Sequence, residues 1–114
     1  MDAFELADLI AERARLDRPY LEFLRIPALS VGLYVLPAGG VDRQQPHAED
    51  EVYYVIQGRG TIRVGSEDRP VQPGTVVLAE AGVEHRFHTI VEDLTILVFF
   101  APAQHSRAAA TSGA

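Results

Sequence analysis

The chain has 114 residues, 47% of them hydrophobic, which is enough for one domain with a hydrophobic core and too few for two. Its formal net charge of −6 argues against binding to nucleic acid or to anionic membranes, which attract an excess of basic residues. The absence of cysteine excludes disulfides, thiolate metal sites and cysteine nucleophiles. The N-terminus is acidic and no apolar run approaches the roughly 18 residues that span a bilayer, so we expect a cytoplasmic protein.

The first predicted element is an amphipathic helix over residues 3–16. Asp2 and Glu5 have the spacing of a capping box, with Asp in place of Ser or Thr. The helix should end before Pro19, because the residue preceding a proline avoids the helical region. We therefore expect residues 1–19 to pack as a helix on the rest of the domain. The apolar positions recur at helical spacing: Ala3, Phe4, Ala7, Ile10, Ala11 and Ala14.

Residues 20–103 show short apolar or alternating runs separated by Gly and Pro, which is the pattern of β-strands. Gly58-Arg59-Gly60 is predicted to form a tight turn after one of these strands. The regular spacing and the lack of a second long helix predict an all-β barrel or a double-sheet jelly roll. Residues 104–114 lack strand periodicity and are predicted to be a mobile tail, with a short helix as the alternative. The strand-like runs are 20–26, 29–36, 52–56, 61–64, 75–79, 85–88 and 94–100.

His47 and Glu51 lie four residues apart where a strand pattern begins. An imidazole and a carboxylate are seldom buried unless they are paired, and one metal ion would satisfy both. On a regular strand Gln45, His47, Glu51 and Tyr53 point to the same side. Pro46 has no backbone donor, so a bulge there would change the side on which Gln45 lies.

Two stretches resemble the two signatures of the cupin superfamily. In the first, residues 39–60, the spacings from His47 to Glu51 and from Glu51 to Gly58 fit, while Gln45 stands where the family has another histidine. In the second, Gly74, Gly82 and His85 fit, while Glu80 and Thr89 replace the usual proline and asparagine. Both signatures occur in the correct order within roughly residues 28–101. The resemblance implies a cupin jelly-roll barrel, a double-stranded β-helix, preceded by one α-helix.

The resemblance also implies one divalent metal ion on His47, Glu51 and His85, with Fe(II), Mn(II), Ni(II) and Zn(II) all compatible. For a fourth ligand the side-chain oxygen of Gln45, that of Gln44 and a water molecule remain open. Two imidazoles and one carboxylate resemble the facial triad that leaves coordination positions free for substrate or dioxygen.

Two functions follow from this resemblance. The first is a metal-dependent enzyme acting on a small oxygen-bearing substrate by oxidoreductase (dioxygenase-like), isomerase-like or lyase-like chemistry, with Glu51 and Tyr53 as predicted catalytic residues. The second is a non-enzymatic ligand-binding cupin, or a degenerate one without metal. Arg43 is placed either at the mouth of the pocket, binding an anionic substrate, or in solvent. Small cupins often form homodimers, and the run 20–26 is the expected edge.

The remaining polar and aromatic residues are expected to have structural or solvent-facing roles. Glu49 and Asp50 are predicted to be solvated acids at the start of a strand. His88, three residues after His85, should point to the opposite face of its strand. The aromatic residues predicted to fill the barrel interior are Tyr34, Phe87 and Phe99, and for Tyr53 this is the alternative to lining the pocket.

Overall fold

Six antiparallel strands and one short helix make up the described part of the chain, residues 1–43 and 46–106 of this computed structural model. No helix within those residues is long and apolar enough to cross a membrane. The elements are α1 (Leu6–Ala14), β1 (Tyr20–Ile26), β2 (Leu29–Leu36), β3 (Asp50–Val64), β4 (Glu67–Val71), β5 (Val76–Ala79) and β6 (His85–Ala101).

The long strands β3 and β6 pair with each other along their whole length and form the middle of one six-stranded sheet. The first half of β3 pairs with β5 and with the second half of β6, which in turn pairs with β2 and then β1. The second half of β3 pairs with β4 and with the first half of β6. The architecture is thus the predicted all-β barrel with one N-terminal helix.

The predicted turn at Gly58-Arg59-Gly60 is wrong, because β3 continues through it. The register between β3 and β6 shifts three times between Val55 and Thr61, so this part of the strand is bulged and does not reverse. Gly58 has φ +97°, and a Cβ placed there would lie 2.1 Å from the carbonyl oxygen of Asp93. A bulge of this kind and a tight turn both use a glycine with left-handed backbone. The local sequence therefore does not distinguish a bulge from a turn.

The barrel interior is lined by alternate residues of the long strands. On β3 these include Glu51, Tyr53 and Val55, each no more than 1% exposed. On β6 the inward aromatic residue near its end is Phe100, whereas the predicted Phe99 is only partly buried. The main hydrophobic cluster is Tyr34, Leu36, Tyr53, Val55, Ile62, Val71, Ala79, Phe87, Ile90, Leu94, Ile96, Val98 and Phe100.

Helix α1 covers the outer face of the sheet, but it is shorter and rotated relative to the prediction. It begins after Glu5, which makes no side-chain capping hydrogen bond, so the predicted capping box is absent. Leu9 is buried and packs with Leu21 and Leu33, whereas Ile10 is 38% exposed. Those two outward-facing leucines supply the apolar surface that the helix covers, so the sheet determines which side of the helix is buried.

The first residues of the predicted tail form a hydrogen-bonded turn. The Gln104 amide donates to Ser30 Oγ at 2.8 Å, and the His105 amide donates to Glu49 Oε1 at 3.1 Å. Residues 107–114, the remainder of that prediction, lie outside the described residues.

Candidate metal site

Three buried side chains from the two predicted segments meet inside the barrel. His47, Glu51 and His85 each offer a ligand atom, and these atoms all lie within 4.8 Å of one another. The ring centroids of the two histidines are 5.9 Å apart. Side chains 34 residues or more apart in sequence therefore come close enough to share one ion.

The strand pairing and two loop contacts position these residues. Glu51 stands near the start of β3, where it pairs with Phe100 on β6 and with Ala79 on β5, and it points into the barrel. His47 lies in the loop before β3 and packs edge-on against Phe100, with ring centroids 5.0 Å apart. Its carbonyl accepts a hydrogen bond from the amide of Gly82 at 2.7 Å, which holds this loop against the turn leading to β6.

A backbone carbonyl determines the orientation of the His85 ring. Nδ1 of His85 donates to the carbonyl oxygen of Val83 at 2.8 Å, so in the neutral imidazole Nε2 carries a lone pair. That Nε2 atom lies 2.8 Å from Oε1 of Glu51. Bonding of the second ring nitrogen to a carbonyl is the arrangement by which proteins orient metal-binding histidines.

The short contact between His85 and Glu51 does not have the direction of a hydrogen bond. Nε2 of His85 and both carboxylate oxygens of Glu51 are buried, and none has a hydrogen-bond partner of acceptable geometry. A lone pair and a carboxylate oxygen repel each other at this distance unless a cation or a proton lies between them. The donor set, two nitrogens and a carboxylate without thiolate, suits a divalent transition metal, so these residues fit such an ion.

The two histidines have opposite pKa shifts. Burial lowers the pKa of His47, more than the nearby carboxylate of Glu51 raises it. Burial also acts to lower the pKa of His85, but the contact with Glu51 and the bond to Val83 together outweigh it and leave the pKa raised. His47 therefore remains a neutral ligand at neutral pH, while His85 is the one for which a proton competes with a metal.

Beside the triad lies a cavity of about 470 Å³. Its wall is mainly apolar, with polar groups at the triad and Arg43 on the lining. Arg43 is exposed and makes no ion pair with the described residues, so both predicted positions, at the mouth and in solvent, remain open. The lining residues are Pro19, Tyr20, Tyr34, Leu36, Val41, Arg43, His47, Glu51, Val98, Phe100 and Gln104.

The other predicted site residues have different outcomes. Tyr53 shares the inward face with Glu51, but it packs edge-on against Phe87 with centroids 4.9 Å apart and is absent from the described cavity wall. Its catalytic role stays a prediction. Gln45 and the alternative ligand Gln44 lie outside the described residues.

Of the surface predictions, the one for Glu49 is wrong. Glu49 is 1% exposed and accepts the amide of His105, because the turn after β6 folds over it. Asp50 is exposed as predicted and accepts the amide of Ala81 at 2.9 Å. His88 lies away from the triad on the partly exposed face, where its Nε2 atom is 2.7 Å from Asp68.

Two polar residues near the site are buried although no sequence pattern predicts their burial. Asp42 is 6% exposed and its carboxylate accepts the hydroxyl of Tyr34 at 2.7 Å and the amide of Phe87 at 2.9 Å. Tyr20 lines the cavity with a buried hydroxyl. Asp42 lies in a loop and Tyr20 opens an apolar run, so only partners distant in sequence reveal their burial.

Comparison with known proteins agrees with this fold. The cupin domain family matches residues 32–100. An uncharacterized protein of Streptomyces coelicolor is 55% identical over 104 residues, covering 91% of this chain and 99% of its own length. The solved structure of TT1209 from Thermus thermophilus is 26% identical with a TM-score of 0.72, covering 90% and 99% of the two chains. A cupin family protein from Methanocaldococcus jannaschii with a double-stranded β-helix fold is 18% identical with a TM-score of 0.68, covering 77% and 81%.

Proposed function

We propose that this chain, which belongs to the cupin family, is an enzyme that uses one divalent metal ion on His47, Glu51 and His85 to act on a small oxygen-bearing substrate. One observation carries the proposal. The atoms of Glu51 and His85 that could bind a metal ion are buried and have no hydrogen-bond partner.

The energetics of burial support a bound cation. Leaving a buried polar group unsatisfied costs about 1–3 kcal/mol, and more for a charged one. The carboxylate of Glu51 is 1% exposed and has no hydrogen bond on either oxygen. A metal ion shared with His47 would remove that cost for Glu51 and His85 together.

The cavity beside the triad gives a substrate access to that ion. A bound divalent metal would supply Lewis-acid polarisation of a substrate oxygen or activation of dioxygen. The residues of the chain hold the ligand atoms in place and enclose the site with apolar side chains such as Leu36, Val98 and Phe100. Dioxygenase-like, isomerase-like and lyase-like reactions all fit this arrangement, and the fourth ligand, Gln45, Gln44 or water, stays a prediction.

Replacing each histidine separately tests the proposal. We expect His47→Ala and His85→Ala each to reduce the metal content of purified protein from one ion per chain to a small fraction, measured by elemental analysis. His88→Ala removes an imidazole that contacts Asp68 instead, and it should keep the full content. Stoichiometric metal in both site variants would refute the assignment.

One observation favours a second function, a metal-free ligand-binding cupin. The 2.8 Å separation of His85 Nε2 and Glu51 Oε1 also suits an imidazolium paired with a carboxylate. Such a pair would give a chain that purifies without metal and whose thermal unfolding does not respond to added Zn(II) or Mn(II). A rise in melting temperature with either ion, reversed by a chelator, supports the enzyme, because binding to the folded state alone stabilises it.

A further inference from the structure

Three acidic side chains are buried in and around the triad, and no arginine of the described residues is buried with them. Glu49 and Glu51 are each 1% exposed, and Asp42 is 6% exposed. Charges at the protein surface are screened by water and salt, whereas buried charges are screened much less. The buried acids therefore dominate the electrostatic potential that a molecule entering the barrel meets.

Glu49 lies beside the triad both in the chain and in space. It stands two residues after His47 and two before Glu51, and its Oε1 atom accepts the amide of His105 at 3.1 Å. The ring of His105 lies next to that of His47, with centroids 6.4 Å apart. Glu49 does not line the cavity, so its charge acts on an occupant through space and not by contact.

Asp42 is buried between the cavity wall and the strand that carries His85. Its Oδ1 atom accepts the hydroxyl of Tyr34, a residue of the cavity wall, at 2.7 Å. Its Oδ2 atom accepts the amide of Phe87, two residues after His85, at 2.9 Å. Both oxygens act as acceptors, as in an ionised carboxylate, and such donors stabilise the charged form.

The balance of the buried charges indicates which molecules the cavity favours. A divalent ion on the triad offsets two of the three carboxylate charges, and imidazoles that bind a metal are neutral, so one negative charge remains. Arg43 is on the cavity lining but exposed, so solvent screens its charge. An anion would lose its hydration and meet a negative potential. A cation would find no carboxylate to pair with, because Glu51, the one acid among the described lining residues, binds the metal.

From these charges we infer that the substrate is an uncharged oxygen-bearing molecule, such as an alcohol, an aldehyde, a ketone or an amide. Glu49 and Asp42 are specificity-determining residues in this arrangement, because their buried charges disfavour anions. The mainly apolar cavity wall suits the carbon atoms of such a molecule. This inference rests on the metal site proposed above.

Acetamide and acetate are suitable probes because they have similar shapes and differ in charge. Co(II) loaded to saturation gives an absorption signal for titration at constant ionic strength. Wild-type protein should bind acetamide at least as tightly as acetate, although the charge of a carboxylate makes it the stronger ligand for a divalent ion in water.

Variants that remove one buried charge test the two acids separately. Glu49→Gln keeps an acceptor oxygen for the His105 amide, and Asp42→Asn keeps one for the Phe87 amide and can donate to the Tyr34 hydroxyl oxygen. Each variant should bind acetate about fivefold more tightly than the wild type does, because a negative charge near the anion is gone. The affinity for acetamide should stay within about twofold.

Asp50→Asn is the matched control. Asp50 follows Glu49 in the chain, but it is exposed and accepts the amide of Ala81, so loss of its screened charge should leave both affinities within about twofold. Tighter binding of acetate than of acetamide by the wild type would overturn the assignment of an uncharged substrate. Unchanged acetate affinity in cobalt-loaded Glu49→Gln and Asp42→Asn would overturn the roles of these two residues. A wild type that takes up no cobalt would overturn the metal site, and with it this inference.

Discussion

The backbone amide of Gly82 donates a hydrogen bond to the carbonyl oxygen of His47 across 2.7 Å. This contact ties the loop that carries one histidine to the turn that precedes the other, His85. Gly82 has φ +77°, a conformation that residues with a Cβ rarely adopt. The relative placement of the two imidazoles therefore depends on a glycine that is not itself part of the triad.

Gly82→Ala should weaken both folding and metal binding. Left-handed backbone costs a residue with a Cβ about 1–2 kcal/mol, and relief of that strain would shift the amide that holds His47. We expect a loss of about 1 kcal/mol in the free energy of unfolding, measured with urea, and at least a threefold loss in Zn(II) affinity.

Gly74→Ala is the control for this change. Gly74 has φ +94° and, like Gly82, no atom within 4 Å of an added Cβ, but it is hydrogen-bonded to Val55 and not to His47. It should lose similar stability and keep its Zn(II) affinity. Equal loss of affinity in the two variants would show that the Gly82 contact has no special role.

Gly58→Ala tests the bulge in β3. The substitution combines left-handed strain with a Cβ 2.1 Å from the carbonyl oxygen of Asp93, which cannot move without disturbing β6. We expect a loss of about 3 kcal/mol in the free energy of unfolding by urea denaturation. At Gly60 the nearest atom to an added Cβ is 3.3 Å away, and Gly60→Ala should lose less than about 1 kcal/mol. Similar losses in the two variants would argue against the close approach at Gly58.

Asp42→Ala should be strongly destabilising although Asp42 lies in a loop. Its two carboxylate oxygens accept the Tyr34 hydroxyl and the Phe87 amide, and an alanine leaves both of these groups without their acceptor. We expect a loss of about 2–3 kcal/mol, measured by thermal and urea unfolding. Asp68→Ala, which removes an exposed carboxylate beside Arg63 and His88, should change stability little. A tolerated Asp42→Ala would mean that these bonds are replaced by water.

Association of two copies through residues 20–26 remains a prediction. These residues form β1, which ends the strand order and has no partner on its outer side among the described residues. Ile26 on this strand is 50% exposed. We expect light scattering to give twice the mass of one chain, and Ile26→Asp to reduce it to the mass of one chain. Val91→Asp, at an exposed site on β6, should leave the larger mass unchanged, and a wild type that is monomeric at high concentration would contradict the prediction.

Two short stretches of sequence, far apart in the chain, predict the residues of the triad. Strand alternation puts Glu51 and Tyr53 on one face, and both are buried in the barrel, whereas His47 lies in the loop before β3, where alternation does not apply, and is predicted by its place in the first family signature. His85 is predicted by its place in the second family signature, after Gly82. Runs of strand length between Gly and Pro predict the barrel class. This pattern depends only on residues that are close in sequence.

Tertiary structure alone decided the features that depend on partners distant in sequence. A left-handed glycine serves a turn and a bulge equally well, so Gly58 became part of a continuous strand only through its contact with β6. Glu49 is buried because the turn at His105 covers it, and Asp42 because Tyr34 and Phe87 converge on it. Burial is a property of the assembled barrel, and composition near a residue does not report which distant side chain will pair with it.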